Sequence, residues 1–456
     1  MIIPATKILS DYIYKLQWED LPREVIESTK VLLLDYLASA IAGYKINRNF
    51  NTAVTKLYYD MGGKEESSVL FNNSKLPAPC AAFLNAAYGH GADMDDGHRI
   101  ANGHPGTIVI PVALALGEVG RLSGRDVILS IVAGYDVFVR IATAVNPSHL
   151  NRGFHTTGTV GTIAAGGTAA KSLKLGVTGV QNALSLSALQ AAGLLEVLTS
   201  GQSSKPLHPA KAAYNGIISG RMAQAGVDGP NEVLTGEKGF AKAFTDNFDF
   251  EAIQKGLGKD FAITTCYMKP YPACRHVHGA VDAAISLGKT NSCPVDFIEK
   301  ITVHTYPTAI RLTGSIIEPL SEEDAKFSLR YAVATGFIKG NFTLAHLDIS
   351  HNFDNEIRTL VHKIVVVSDS QMESRAYNIR GARVELSLKD GTCKTVEIPL
   401  PKGEPEVPFS QKDLENKLKF CAEGIISIDK QKSIIRMVSE LDEMLNLDEL
   451  SKLLIF

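Results

Sequence analysis

Between residues 6 and 257 the sequence has mostly helical periodicity, and many of these segments are rich in alanine, glycine, serine and threonine. Residues 162–173 and 180–195 carry a single charged side chain between them, Lys171. Helices with so little charge on any face are normally surrounded by other helices. We assign their glycines to close packing, because no GxxxxGKS phosphate loop and no strand-linked GxGxxG occurs. The sequence therefore predicts a large domain of tightly packed helices.

Composition excludes several classes of protein. The chain has 456 residues, of which 45% are hydrophobic and 21% charged, as in ordinary globular proteins of two or three structural units. The net charge is −3, without runs of like charge, so we expect no nucleic-acid partner and no anionic membrane partner. The six cysteines are spread along the chain and never form a CxxC pair. This pattern argues against a disulfide framework or structural zinc and fits a reducing cytoplasm.

The N-terminal segment and the apolar segments predict no membrane association. Residues 1–20 carry charges within their apolar stretch and lack a small-residue cleavage site, which is typical of an amphipathic helix rather than a signal peptide. Residues 107–117 are strongly apolar but too few to cross a bilayer, and Pro111 interrupts them. We therefore expect no membrane segment.

The composition changes after Thr264. Residues 298–306 alternate as a strand does, residues 361–367 are β-branched, and residues 382–389 and 393–400 flank an Asp-Gly-Thr turn typical of a hairpin. Other segments have helical periodicity (325–338, and 414–454 after the Pro-rich connector 401–408). The sequence predicts a mainly α protein, with a large helical domain (residues 1–263 and 402–456) interrupted by a smaller α+β lid domain (264–401).

One short stretch, GHGADMDDGHRIANGHP at residues 89–105, has the highest density of proton-transfer groups in the chain. It lies between two apolar segments, and charged groups flanked in this way tend to line a cleft. Its ionisable side chains are His90, Asp93, Asp95, Asp96, His98, Arg99 and His104. For Asp95 and Asp96, capping of the next helix is an equally good interpretation.

Four further segments concentrate reactive side chains: RGFHTTG (152–158), KPLHPAK (205–211), KPYPACRHVH (269–278) and KFSLRY (326–331). Most contain glycine or proline, so we expect them at helix starts or on loops, where a site is assembled from distant parts of a chain. In this order, the five motifs resemble those of the MmgE/PrpD family, which includes 2-methylcitrate dehydratase, cis-aconitate decarboxylase and an iminodisuccinate epimerase. The resemblance covers essentially the whole chain.

The resemblance implies a homodimer in which each protomer has a large helical domain and a lid domain. It also implies chemistry without a metal, an iron-sulfur cluster or an organic cofactor. Carried over motif by motif, the catalytic residues are Asp93, His104, His155, Lys205 and Lys269. The chain departs from the family pattern at Gly97, where threonine is usual, in a loop to His104 that is one residue longer, and at Cys274, where the decarboxylase has histidine.

The residue types support the same chemistry. A small di- or tricarboxylate needs several cationic anchors, for which Lys205, Lys269, Arg99 and Arg275 are candidates. We predict His155 as the general acid/base and His104 as its partner, which assists the leaving group. Asp93 would orient a histidine or tune a lysine. Cys274 and Tyr331 are further candidates for substrate contacts, although Cys274 could equally be a buried, inert thiol. Residues expected near the site are Lys211, His276 and His278.

Several alternatives stay open at this point. Dehydration, decarboxylation and epimerisation of a dicarboxylate such as iminodisuccinate share a proton-transfer step at carbon, and a desolvated lysine could itself be the base. The cluster from His90 to His104 could instead ligate a divalent metal, as in a metal-dependent hydrolase or, through Asp95-Asp96, a prenyl-chain enzyme. However, Arg99 replaces the last aspartate of a DDxxD motif. A non-catalytic carboxylate-binding dimer is the third alternative.

Overall fold

The structure, a computed structural model, describes residues 4–198, 203–291, 293–375 and 379–455. About 60% of the chain is helical and 8% is in strands, which confirms the predicted mainly α fold with a small α+β part. Contacts divide the chain into a larger unit (residues 1–91, 95–266 and 411–456) and a smaller unit (92–94 and 267–410).

The divisions between the units differ from the boundaries that the sequence suggested. The smaller unit begins at Tyr267 and ends at Ser410, instead of spanning residues 264–401, and it includes Ala92–Met94. The connector 401–408 belongs to it, because the amide of Met268 donates to the Gly403 carbonyl (2.9 Å) and the connector's Glu404 forms a buried ion pair. A segment rich in proline and charge is therefore anchored in the smaller unit rather than acting as a simple linker.

The part of the larger unit that precedes the smaller unit in the sequence has twelve described α-helices and one short hairpin, β1 (Ser67–Ser68) and β2 (Lys75–Leu76). The helices are α1 (Ala5–Lys15), α2 (Arg23–Lys45), α3 (Arg48–Met61), α4 (Ala78–Gly91), α5 (Gly106–Gly120), α6 (Gly124–Val145), α7 (Ser148–Asn151), α8 (Thr156–Ser172), α9 (Val177–Ala188), α10 (Leu207–Gln224), α11 (Phe240–Phe244) and α12 (Glu251–Gln254).

Helix α8 lies at the centre of this unit, in contact with α5, α6, α9 and α10. All of its residues except Lys171 are buried. A Cβ added to Gly216 of α10 would lie 2.2 Å from the Cβ of Ala165, so α8 and α10 can approach this closely only because glycine stands there. The predicted close packing of small-residue helices is confirmed.

The predicted helix over residues 180–195 is wrong beyond Ala188, where α9 ends. The chain then becomes extended, and Leu194 forms an isolated antiparallel bridge with Phe154. The carbonyl of Gly193 accepts the amide hydrogen of His155 (3.1 Å). This backbone pairing supports the start of α8, and helical periodicity alone could not reveal it.

Helix α6 has 22 residues and an apolar window long enough for a bilayer, but 89% of that window is buried inside the structure. A helix enclosed in this way has the features of a core helix.

The smaller unit combines helices with a four-stranded sheet. Its helices are α13 (His278–Thr290), α14 (Pro307–Thr313), α15 (Glu322–Phe327), α16 (Leu329–Lys339), α17 (Ile349–Asn352), α18 (Asn355–Val361) and α19 (Ser370–Arg375). Its strands are β3 (Ile298–Thr305), β4 (Ile364–Ser368), β5 (Ala382–Leu388) and β6 (Cys393–Ile398), in the order β4-β3-β5-β6. β4 is parallel to β3, the other pairs are antiparallel, and α13 packs against β5 and β6.

Most elements predicted for this unit are confirmed, including the hairpin of β5 and β6 around the Asp-Gly-Thr turn. The helical segment predicted over 325–338 is confirmed, but the structure divides it between two helices, α15 and α16. Its periodicity is interrupted at Ser328, whose hydroxyl accepts the amide hydrogen of Tyr331 (3.1 Å) and caps α16.

The C-terminal segment returns to the larger unit as α20 (Gln411–Ala422), α21 (Ile428–Ser439) and α22 (Asp448–Leu454). Its α20 packs against α2. The two helices are joined by an ion pair in which Lys417 Nζ lies 2.6 Å from Asp35 Oδ1, with both side chains buried. Because these residues are far apart in the sequence, the ion pair links the N-terminal and C-terminal parts of the larger unit.

Substitution of Lys417 by methionine should destabilise the larger unit by about 3–5 kcal/mol, because it leaves the buried Asp35 carboxylate without its cation. Thermal unfolding would show a lowered midpoint. The matched control is K432M, which changes an exposed lysine. Adding D35N to K417M should recover part of the loss, and a wild-type midpoint for K417M alone would contradict this role of the pair.

Candidate active site

Most of the first motif lies in the larger unit, as a loop that begins at the end of α4. His90 lies in the last turn of α4, and its Nδ1 is 2.8 Å from Oδ2 of Asp95. The same carboxylate oxygen is 3.3 Å from Nδ1 of His104. All three side chains are at least largely buried. Asp95 thus holds two imidazoles that are fourteen residues apart in the sequence.

The hydrogen bonding of His104 defines which of its nitrogens can react. Nδ1 lies 2.8 Å from the backbone carbonyl oxygen of Asp96. Because a carbonyl can only accept, Nδ1 carries a hydrogen, and in the neutral ring the lone pair is therefore on Nε2. His104 comes two residues before α5, so its ring lies near the positive end of that helix.

Asp96 stabilises this loop through hydrogen bonds. Its carboxyl group accepts the amide hydrogen of Gly106, the first residue of α5 (3.0 Å), and also contacts the hydroxyl of Tyr135 (2.9 Å). Burial, followed by repulsion from Asp95 and Asp35, raises the pKa of Asp96 to about 8. The capping role that the sequence suggested is confirmed for Asp96.

His155 immediately precedes α8 and is buried. Its Nδ1 lies 2.7 Å from Nδ1 of His208, which is in the first turn of α10. Burial, followed by repulsion from His208 and Lys205, holds the pKa of His155 well below its usual value. At neutral pH the imidazole is therefore uncharged and able to act as a base.

The third motif places two lysines beside His208. Lys205 is buried two residues before α10, and Lys211 lies one turn after His208. Burial, followed by repulsion from Lys211, lowers the pKa of His208 to about 4, and burial lowers the pKa of Lys211 to about 8. This arrangement surrounds uncharged imidazoles with cationic groups.

Together these residues form a row of four imidazoles, His104, His90, His155 and His208. Their neighbouring ring centroids are 4.8, 6.4 and 5.0 Å apart in that order. The helices α5, α8 and α10 all begin beside the row, so their positive ends add to its attraction for anions. His104, His155 and Lys205 are thus in one neighbourhood.

His90 and His208 complete the row. His90 was predicted only as a ligand in the metal-dependent alternative, and His208 was not predicted as a site residue. Both lie within the motifs described above, and the only sequence signal for a role in the site is their spacing from predicted site residues. His90 is fourteen residues before His104, and His208 is three residues after Lys205. Without the packing of α4, α8 and α10, nothing in the sequence indicates that their rings meet.

Asp93 and Lys269 form a pair within the smaller unit. Lys269 Nζ lies 2.8 Å from Oδ1 and 2.9 Å from the backbone oxygen of Asp93, and both side chains are buried. Asp93 adopts a positive φ of 52°, which is uncommon for a residue with a side chain and is often kept at functional sites. Of the two partners considered for Asp93, a histidine or a lysine, the structure places a lysine beside it, whereas the catalytic roles of both residues stay predictions.

Arg275 was predicted to bind substrate, and its contacts assign it a structural role instead. Two of its guanidinium nitrogens lie 3.0 and 2.8 Å from Oε1 of the buried Glu404. Its remaining contacts are with the backbone oxygens of Pro401 and Lys402 and with Nδ1 of His278. A guanidinium whose hydrogens are directed to internal acceptors holds the connector in place.

The other predicted contacts are distributed over both units. Tyr331 is fully buried and donates to the backbone oxygen of His346 (2.7 Å), which makes it a core residue rather than a substrate contact. Cys274 is half-buried in the smaller unit and forms no disulfide. Arg99 is half-buried in the loop that carries Asp95 and His104.

The trio His90, Asp95 and His104 is also the place where a metal could be held, since its ligand atoms lie within 4.8 Å of one another. His90 and His104 both face Asp95 with their Nδ1 atoms. Nδ1 of His90 lies against the Asp95 carboxylate, and Nδ1 of His104 lies against that carboxylate and the Asp96 carbonyl, and these oxygens accept hydrogen bonds. Those nitrogens act as donors, which favours a hydrogen-bonded acid/base group over a metal site.

Comparison with known proteins identifies the family of the chain. The family models for the MmgE/PrpD N-terminal domain and the MmgE/PrpD C-terminal domain match residues 7–253 and 271–443. A cis-aconitate decarboxylase of Aspergillus terreus is 27% identical over 96% of this chain and 93% of its own length. A cis-aconitate decarboxylase of Homo sapiens is 27% identical over 100% of this chain and 95% of its own.

A third relative, the cis-aconitate decarboxylase-like protein oryM of Aspergillus oryzae, is 24% identical over 99% of this chain and 97% of its own length. The similarity therefore extends over the whole chain in each case. Because both domain models match in order and together span most of the sequence, the protein belongs to the MmgE/PrpD family.

Proposed function

We propose that this protein is a lyase that acts on a small di- or tricarboxylate by proton transfer at carbon, without a metal or organic cofactor. The observation that carries the proposal is the row of four buried imidazoles beside Lys205 and three helix starts. Curated relatives that match from end to end are cis-aconitate decarboxylases, so cis-aconitate is the first substrate to test. The homodimer implied by the family resemblance stays a prediction, which light scattering would test.

The charges of the row support a polyanionic substrate. Lys205 is buried next to His155 and His208, and Lys211 follows one turn later. Cations in a buried site bind carboxylates more strongly than cations at the surface, because water screens them less. A substrate that brings two or three negative charges would also raise the pKa of the neighbouring imidazoles and thereby help to charge them.

His155 can supply the chemistry in either direction. In decarboxylation, the carboxylate on the saturated carbon of cis-aconitate leaves as CO₂, and the electron pair left behind is delocalised over the adjacent double bond. A proton delivered by the imidazolium to the far carbon completes the reaction. In dehydration, neutral His155 instead removes a proton next to a carboxylate, and His104 donates a proton to the departing hydroxyl group.

A substrate panel followed by NMR in D₂O tests the proposal. Citrate, 2-methylcitrate, cis-aconitate and iminodisuccinate would be incubated with enzyme, with and without EDTA. We expect cis-aconitate to lose CO₂ and gain one carbon-bound deuterium at the same rate in both conditions. Loss of water from citrate or 2-methylcitrate would indicate a dehydratase, and exchange without net conversion an epimerase. If none of the acids reacts, the lyase proposal is wrong, and inhibition by EDTA would contradict metal independence.

Substitution of His155 by glutamine should lower kcat by about 10²–10⁴-fold, the usual contribution of a general acid/base, with a smaller effect on KM. The reason is that glutamine keeps hydrogen bonding but cannot transfer a proton. The control H351Q changes an exposed histidine and should leave kcat and the melting temperature unchanged. Full turnover by H155Q would remove His155 from its proposed role.

Substitution of Lys269 by alanine should raise KM and lower kcat if this lysine holds a substrate carboxylate, as the family resemblance implies. The matched control is K30A, which removes a buried lysine of the larger unit that is ion-paired with an acidic residue, Asp442, and lies outside all five motifs. Both variants should lower the melting temperature, but only K269A should change both kinetic constants. Unchanged constants in a folded K269A enzyme would assign Lys269 to a purely structural pair with Asp93.

A further inference from the structure

We infer that His208 is a proton-sharing partner of His155, which takes the Nδ1 proton of His155 when the Nε2 of His155 accepts a proton from the substrate. The inference rests on the proposed function and identifies a residue that acts through His155. It is carried by one contact, in which the two Nδ1 atoms lie 2.7 Å apart.

A hydrogen bond between two Nδ1 atoms contains one proton, which is bonded to one ring and accepted by the other. When His155 holds it, the lone pair of neutral His155 is on Nε2, and the ring is a base on that side. When His208 holds it, the Nε2 of neutral His155 carries a hydrogen and is a donor. The position of this single proton therefore sets whether His155 can accept or donate a proton at Nε2.

The sequence of bond changes balances without any further reactant. The Nε2 of His155 forms a bond to the substrate proton as the carbon–hydrogen bond breaks. The Nδ1–H bond of His155 then breaks, and that proton joins Nδ1 of His208. His155 is left neutral with its hydrogen on Nε2, and the positive charge resides on His208. The reverse transfer returns the proton to carbon.

Local packing fixes this contact. A Cβ added to Gly158 of α8 would lie 3.3 Å from the Cβ of His208, and 2.7 Å from the backbone oxygen of Ala192. The amide of His155 is bound to the Gly193 carbonyl, which restrains the backbone just before α8. Both rings are buried, so neither has much freedom to leave the pair.

The electrostatic surroundings keep the pair uncharged until substrate arrives. The charged and titratable groups that influence it are Lys211 and Lys205 around the start of α10, His90 on α4 and His104 before α5. Among the residues that the structure describes, no carboxylate forms an ion pair with Lys211, whose Nζ contacts the Thr162 hydroxyl and the Gln190 carbonyl. Its positive charge therefore acts on His208 and lowers the pKa of that imidazole.

The first test is kinetic and compares two replacements of His208. H208Q keeps a hydrogen-bonding group near Nδ1 of His155 but cannot take up a proton, whereas H208A removes both properties. We expect both variants to lose about 10–100-fold in kcat, with KM changed much less. Recovery of wild-type kcat by H208Q would overturn the inference, because it would mean that His208 only orients His155.

The pH profile gives a readout that a merely structural role would not change. Removing the positive charge in K211Q should raise the pKa of the pair and move the acidic limb of kcat/KM to higher pH. K211R keeps the charge and should leave that limb in place. Equal profiles for wild type, K211Q and K211R would contradict the electrostatic part of the inference.

The last test does not depend on turnover. In enzyme with ¹⁵N-labelled histidine, the shared Nδ1 proton should give a downfield resonance that disappears in both H155A and H208A, because alanine removes the hydrogen-bonding partner as well as the titratable ring. It should persist in H149Q, since His149 is another buried histidine of the larger unit but is bound to Thr159. Failure of all candidate substrates would overturn the proposed function alone, whereas persistence of the resonance in H208A would overturn the proton-sharing pair.

Discussion

The close approach of α8 and α10 is the constraint on which the site depends. Glycine at position 216 lets the α10 backbone lie against Ala165, and glycine at 158 leaves room for His208 beside the start of α8. A side chain at position 216 would force the helices to shift, because its Cβ would lie 2.2 Å from that of Ala165, and one at position 158 would press on His208, whose Cβ would lie only 3.3 Å away. The Nδ1 atoms of His155 and His208 could then no longer meet, since a hydrogen bond tolerates only a few tenths of an ångström. The contact between His155 and His208 therefore depends on helix packing.

The two ends of the imidazole row have different electrostatic surroundings. Asp95 provides a negative charge beside His90 and His104, whereas His155 and His208 face lysines and each other. Groups of one chemical type whose environments differ in this way can take opposite roles in a proton transfer. His104 is suited to donate to a leaving group, and His155 is suited to accept from carbon until the charge of a bound anion reverses its preference.

The fold class and the motifs could be predicted because periodicity and turn residues are local properties. The hairpin around Asp390-Gly391 and the small-residue helices are examples. The parts that failed depend on contacts between distant segments. Arg275 has the sequence features of a substrate anchor, yet it binds Glu404, which is more than a hundred residues away. In the same way, the end of α9 at Ala188 is set by pairing with the segment before α8.

The neutral state of His155 explains how one site can serve both proton removal and proton delivery. A buried imidazole among cations resists a second positive charge, so it remains a base while the site is empty. Carboxylates of a substrate would neutralise the lysines and favour the imidazolium, which is the form that decarboxylation requires. Under the proposed function, the same residues would carry out dehydration or decarboxylation according to which bond of the bound acid is aligned to break. In this view the pose of the substrate determines which reaction occurs. We expect that pose to be set by the residues around Gly97 and by the loop to His104, where the sequence predicts a departure from the family pattern.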